Sequence, residues 1–270
     1  MDTPILGSAL ALTISLLGYR QGALSRSGAI GATLVGSVII WSGGWLWGWL
    51  LVLFFASSSL LSRFHLADKA AIQAHFAKGG RRDLGQVLAN GGLGAALAIA
   101  AAATGWGWLF PAYLGVLATV NADTWATELG VLSRRPPRLI TTGQTVPAGT
   151  SGGVTALGMG ASLLGGTTIG LAAWGWEQIA PAHLPAAVWW PAWAALAGLA
   201  GSLCDSLLGA TVQGIFYCER CQKETERAVH SCGARTLPRR GWQWLNNDGV
   251  NFLSSLVGGL VAMLIALGWR

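Results

Sequence analysis

Residues 107–130 read GWLFPAYLGVLATVNADTWATELG, an apolar run closed by a polar cluster. The run is long enough to span a bilayer, which takes roughly 17–25 residues. Its last part, NADTWATELG at 121–130, carries Asn121, Asp123, Thr124, Thr127 and Glu128. Carboxylates at such a depth are costly, so they usually mark an ion, substrate or catalytic site. At about 100° per residue on a helix, these five side chains fall on one half of the surface. Ala122, Trp125, Ala126 and Leu129 fall on the other half, where lipid or neighbouring helices can meet them.

The flanking sequence has the same apolar character. The 270 residues are 53% hydrophobic and 10% charged, whereas soluble domains carry roughly 25% charged residues. Mean hydropathy is +0.51, and 39 glycines suit close helix packing in membranes. The expected fold class is all-α, a polytopic transmembrane bundle. A single domain over 1–270 is expected, because no hydrophilic stretch is long enough to fold separately. Eight spans are predicted near 4–19, 27–41, 45–61, 85–103, 107–129, 150–174, 187–212 and 249–268. The second is short enough to be re-entrant. The first lacks a preceding positive flank and a small-residue cleavage site, so it reads as a helix rather than a signal peptide.

The charges support this count. On eight spans, the odd-numbered connections hold every Lys and Arg except Arg270, and the even-numbered ones hold none. Such segregation is the positive-inside pattern, and it predicts both termini outside the cytosol. Trp41, Trp45, Trp106, Trp108, Trp174, Trp176, Trp189 and Trp190 cluster on the opposite face as an interfacial belt. Cytosolic loops are expected at 62–84, 130–148 and 213–247. The expected location is a bacterial inner or thylakoid-like membrane, with the polar cluster facing the cytosol. The net charge of +6 then forms a cytosolic rim that attracts anionic headgroups and substrates. The basic residues are scattered over short loops without a recognised nucleic-acid module, so nucleic acid is not an expected partner.

Further polar segments fall at the same membrane level. GSLCDSLLGATVQ (201–213) aligns Ser202, Asp205, Ser206, Gly209 and Gln213 along one stripe. LNNDGVNF (245–252) supplies Asn246, Asn247, Asp248 and Asn251, and Gln86 and Asn90 stand four apart on the fourth span. Convergence of Asp123, Glu128, Asp205 and Asp248 would give hard oxygen ligands of the kind that hold Mg²⁺ beside substrate phosphates. Each segment also has a simpler reading. Asn247 or Asp248 could only cap a helix, and Gln86 and Asn90 could only bridge helices.

VPAGTSGGVT (146–155) brings Gly149, Thr150, Ser151, Gly152 and Gly153 to the predicted start of the sixth span. Backbone N–H groups there could cradle phosphate, or the small residues could simply pack helices. No P-loop spacing occurs. Lys78, Arg81 and Arg82 could grip a phosphate or serve as a positive-inside anchor. In the last cytosolic loop, Cys218-x₂-Cys221-x₈-His230-x-Cys232 has the composition of a tetrahedral Zn²⁺ site. With four protein ligands the metal would be structural, pinning the loop. Unliganded thiols are the alternative, and the cytosolic placement disfavours a disulfide.

RQGALSRSGAIGA (20–32), FAKGGRRDLGQVLANGG (76–92), NADTWATELG, VPAGTSGGVT, GSLCDSLLGATVQ, the 218–233 loop and NNDGVNF (246–252) together resemble the integral-membrane family that contains the plant and cyanobacterial phytyl-phosphate kinases. Asp123, Thr124, Ala126, Thr127 and Gly130, followed by Gly149 and Thr150, are similar more distantly to motifs of dolichol and phytol kinases and CDP-diacylglycerol synthases. The resemblance implies phosphoryl transfer from a nucleoside triphosphate, CTP in particular, to phytyl or another isoprenyl monophosphate. It implies Mg²⁺ held by Asp123, Glu128 and Asp205, phosphates cradled by 149–153 and nearby basic residues, and a site completed by Asp248 and Asn251. Two rivals stand beside it: an ion-coupled transporter, because intramembrane acids also line ion pathways, and a cytidylyltransferase making a CDP-lipid.

Overall fold

Apolar runs broken by glycine, proline and basic turns fold into helices close to the predicted positions. The computed structural model describes residues 2–64, 81–181, 184 and 186–269. Among these residues lie eight α-helices. They are α1 (Asp2–Arg20), α2 (Arg26–Gly43), α3 (Trp45–Arg63), α4 (Leu84–Thr104), α5 (Leu109–Gly130), α6 (Ala156–Ile179), α7 (Trp190–Thr211) and α8 (Asn247–Gly268). Five are long and apolar enough to cross a membrane: α3, α4, α6, α8, and α7 taken with the short 3₁₀ turn before it.

Helix starts follow local chemistry. Ser25, Asp83, Thr155 and Asn246 each accept a first-turn N–H through the side chain, satisfying donors that a helix leaves orphaned. Asp83 and Gln86 bond reciprocally as a capping box. Asn246 is therefore the α8 cap, which leaves Asn247 and Asp248 in the first turn.

The segment at 107–130 becomes the central helix. α5 is buried continuously from Leu109 to Ala122, and α3, α4, α6, α7 and α8 pack around it. A helix apolar on all sides belongs in such a position. Close approach depends on small residues. A Cβ on Gly201 of α7 or Gly258 of α8 would collide with the Thr119 hydroxyl of α5. Thr119 itself donates to the Ala197 carbonyl at 3.2 Å. Tyr113 donates to the Trp47 carbonyl at 2.6 Å, so both of these buried hydroxyls are partnered across helices.

The all-α expectation needs amendment in two connections. β1 (Arg138–Leu139) pairs antiparallel with β2 (Gly153–Val154). β3 (Ile215–Cys218), β4 (Lys223–Thr225) and β5 (Leu237–Arg240) form a sheet of order β4-β3-β5. Strands of two to four residues are too short to give a period-2 signal in sequence. The sixth span is also displaced. Helix begins at Ala156, not 150, because the glycines before it form a turn leading into β2.

Candidate functional site

The C-terminal ends of α3, α5 and α7 and the N-terminal ends of α4, α6 and α8 surround a cavity of about 470 Å³. This volume lies within the range of ligand-binding clefts. Asp123, Thr124, Thr127 and Glu128 enter it from the last two turns of α5, and Asp205 enters from α7. Asn247, Asp248 and Asn251 come from α8, and Asn90 from α4. Arg82 and Gly149–Gly153 close the rim. Sequence segments far apart thus meet at one end of the bundle.

The carboxylates are held by hydroxyls. Ser202 bonds Asp123, Ser254 donates to Asp205 Oδ2 at 3.2 Å, and Ser62 donates to Glu128 Oε1 at 2.6 Å. With its amide oriented to satisfy both ends, Asn251 donates to Asp205 Oδ2 at 3.0 Å and to the Asn247 carbonyl at 3.3 Å. Asp123 and Asp205 are electrostatic neighbours. The chemistry of this pair suits a hard divalent cation. Asp123, Glu128 and Asp205 do not, however, form a compact three-carboxylate group. Among the described residues, only the Cys/His cluster below gathers three or more such ligand atoms that closely.

Arg82 faces the acids from the α4 side. Its N–H donates to the Ala23 carbonyl at 3.0 Å, and its own carbonyl accepts from Ser25 at 2.9 Å. The guanidinium donates to Ser59 Oγ at 3.1 Å and sits 5.8 Å from the Phe55 ring centroid. Burial pulls its pKa down, and the nearby Glu128 carboxylate counteracts that shift. It remains a cation, since a free guanidinium titrates far above neutrality.

The glycine turn is clamped rather than loose. Arg240 donates to the carbonyls of Gly209 at 2.7 Å and Ser151 at 3.2 Å. Ser151 donates to Gln213 Oε1 at 2.9 Å, and Gln213 donates to Glu226 at 2.8 Å. Gly152 has φ +85°, and a Cβ there would meet the Ala210 backbone. Gly152→Ala is therefore expected to cost about 1–3 kcal/mol and to displace the turn. A thermal melt in detergent and hydrogen exchange over 146–155 measure both. An unchanged melt would contradict the clamp.

Some expected site residues lie elsewhere. Asn121 is fully buried, accepts from Ser57 at 2.9 Å and donates to the Gly165 carbonyl at 2.8 Å. It is an interhelical bridge off the cavity, because its position three residues before the last polar turn faces α3 and α6. Gln213 is also buried and acts through Ser151 and Glu226 rather than from the cavity wall. Arg81 is exposed beside Gly22 and does not line the cavity. Lys78 lies outside the described residues.

Cys218, Cys221, His230 and Cys232 place their ligand atoms within 4.8 Å of one another. The β3–β4 turn supplies the first two and the 229–235 turn the others. Cys218 Sγ and Cys232 Sγ stand 3.7 Å apart. A disulfide needs about 2.05 Å, whereas tetrahedral bonds of about 2.3 Å to Zn²⁺ give an edge near 3.8 Å. His230 Nδ1 lies 3.2 Å from Cys232 Sγ and draws that thiol down to about 6. The Cys232 and Cys218 thiols push Cys221 up to about 11. The cluster could hold a metal ion, and its donor set suits zinc.

The model of the integral membrane protein family DUF92 matches residues 9–259. The chain belongs to this family. Among DUF92 relatives, Protein PGR of Arabidopsis thaliana is 37% identical over 273 residues, covering 94% of this chain and 93% of its own. An uncharacterized membrane protein of Methanocaldococcus jannaschii is 31% identical, with 93% and 90% covered. Protein VTE6, chloroplastic, of Arabidopsis thaliana is 26% identical over 97% of this chain and 68% of its own. No solved structure matches.

In this DUF92 chain, Ser62 and Glu226 line the cavity without belonging to a motif, beside Arg135 and Ser202. Ser202 carried a signal, standing three residues before Asp205 on the same stripe. Glu226 carried none, because it reaches the cavity only after the β3–β5 loop folds back.

Proposed function

We propose that this chain transfers a phosphoryl group from a nucleoside triphosphate, CTP in particular, to phytyl or another isoprenyl monophosphate. The observation that carries this reading is the meeting of Asp123, Asp205, Asp248, the 149–153 turn and Arg82 around one polar cavity at the end of an apolar bundle. The family resemblance of the same motifs supplies the substrate class. The charge segregation favours a cytosolic mouth, where nucleotide is available, with eight spans and both termini on the other side.

In this reading Asp123, Glu128 and Asp205 would hold Mg²⁺, directly or through water. One or two carboxylates plus substrate phosphates are the usual protein share of a Mg²⁺ site. Mg²⁺ bound there would supply charge neutralisation for the transferring phosphoryl group. The 149–153 turn and Arg135 position the nucleotide phosphates, with Asp248 and Asn251 completing the site. An oxygen of the acceptor monophosphate attacks the γ-phosphorus. The bond from that phosphorus to the β–γ bridging oxygen breaks, and nucleoside diphosphate leaves. The acceptor oxygen is already ionised, so positioning and charge neutralisation matter more than a strong general base.

Incubation of purified protein with phytyl monophosphate, Mg²⁺ and each of CTP, ATP, GTP and UTP tests the proposal by mass spectrometry of the products. Phytyl diphosphate with nucleoside diphosphate is expected. A CDP-linked lipid would reassign the site to cytidylyl transfer, and no product with any isoprenyl phosphate would favour transport instead.

A further inference from the structure

Arg82, Gln86 and Asn90 line two cavities at once. One is the polar cavity already described. The other, about 80 Å³, lies between α1, α2, α3 and α4. Apart from these three residues and Ser15, its wall is apolar, with Ile14, Val35, Leu51, Val52, Phe55 and Val87 prominent. We propose that this second cavity holds the head-proximal isoprene unit of the lipid acceptor, with Arg82 at the junction gripping the acceptor phosphate. The inference rests on the phosphoryl-transfer reading and assigns its lipid side.

A lipid phosphate needs a polar and an apolar compartment that meet at its headgroup. The two cavities meet at a cation and two amides. Arg82 is suited to the junction because both its ends are fixed. Its backbone is tied to Ala23 and Ser25, and its side chain to Ser59 across the face of Phe55. One guanidinium arm serves Ser59, and Arg carries five N–H donors in all, enough to bind phosphate oxygens as well. Phe55 both supports the guanidinium and lines the apolar cavity, so headgroup and tail sites share a wall.

The size agrees. One water needs about 10–15 Å³ on this scale, so the cavity takes roughly six groups of that size, close to one five-carbon unit. It is lined from α1 to α4 and shares no residue with the Gly149–Gly153 turn that precedes α6. Lipid acceptor and nucleotide would thus reach the acids from different elements, the acceptor from α4 and the nucleotide from the 149–153 turn.

A phytyl monophosphate analogue with a diazirine on its first isoprene unit tests this in the full chain reconstituted in nanodiscs, with turnover measured in the same preparation. Adducts are expected on peptides carrying Val52, Phe55 or Val87, suppressed by excess phytyl monophosphate. Ala32→Phe, or Val52→Phe if the first does not fold, should fill the cavity. Either is expected to lower kcat/KM for phytyl monophosphate at least ~10-fold, the scale of hydrophobic-pocket discrimination, with little change in nucleotide KM. Competed adducts on α6 or α7, or turnover without competed labelling of α1–α4, would overturn the tail site and leave phosphoryl transfer standing. Absence of both competed labelling and turnover with any isoprenyl phosphate would overturn both.

Discussion

Purified Asp123→Asn and Asp205→Asn proteins are expected to fold normally and to lose turnover by on the order of 10³-fold, equivalent to about 4 kcal/mol of transition-state stabilisation. The size follows from what the pair would do. Phosphoryl transfer draws its acceleration from positioning and charge neutralisation, and an amide keeps the shape of a carboxylate while losing its charge. Folding should survive because the two acids are like charges in one cavity, so neutralising either relieves repulsion. Ser202 and Ser254 can still bond the amide oxygen. A thermal melt with and without Mg²⁺ separates metal loss from unfolding. Wild-type protein should gain stability with Mg²⁺, and Asp205→Asn should gain little. Near-normal turnover in both variants would remove the pair from the mechanism.

The second large effect concerns the Cys/His cluster. Protein purified without chelator is expected to carry one Zn²⁺ per chain, and Cys218→Ser to lose it. Structural zinc contributes apparent binding energies of about 10–16 kcal/mol in small peptides. The β3–β5 sheet has its own strand pairing, but the Cys/His cluster is what joins the β3–β4 turn to the 229–235 turn. Cys218 and Thr225 are among its buried side chains, whereas Leu237 is half exposed. Loss of the metal should therefore release the sheet while α1–α8 stay folded on their own core. The consequence for the cavity is specific. Glu226 and Arg240 come from this loop: Glu226 accepts from Gln213, and Arg240 donates to the Ser151 and Gly209 carbonyls. Turnover should fall with a raised nucleotide KM, while helical circular dichroism is unchanged. Elemental analysis finding no zinc in wild-type protein would end this account.

Much of the apolar framework was legible from residue order. Eight apolar runs predicted eight spans; eight helices are present among the described residues with ends shifted by a few positions, and five of them are long and apolar enough to cross a membrane. Apolar length and flanking caps carry that information locally. The exception was 150–155, where a glycine-rich stretch read as helix start. Positive φ at Gly149 and Gly152 serves a turn, and hydropathy alone does not distinguish a turn from a helix of small residues. The β3–β5 sheet was missed for a related reason. Its strands are short, and its register is set by turns and a ligand cluster rather than by alternation.

The polar stretch at 121–130 divides the two kinds of information. Sequence alone determined that α5 ends in costly polar groups, that Asp205 and Asp248 recur in comparable settings, and that Cys218, Cys221, His230 and Cys232 belong together. Burial cost and ligand spacing act within a segment, so they are written into it. Only the tertiary structure decided which of those groups face one another. Packing turned Asn121 toward Ser57 and Gly165, and Asp123 toward the cavity shared with Asp205 and Arg82. It also brought Glu226 to the cavity and placed an apolar pocket behind Arg82. A helix has a fixed periodicity but no fixed partner. Its partners come from packing, as where Gly201 and Gly258 let α7 and α8 close onto Thr119 of α5.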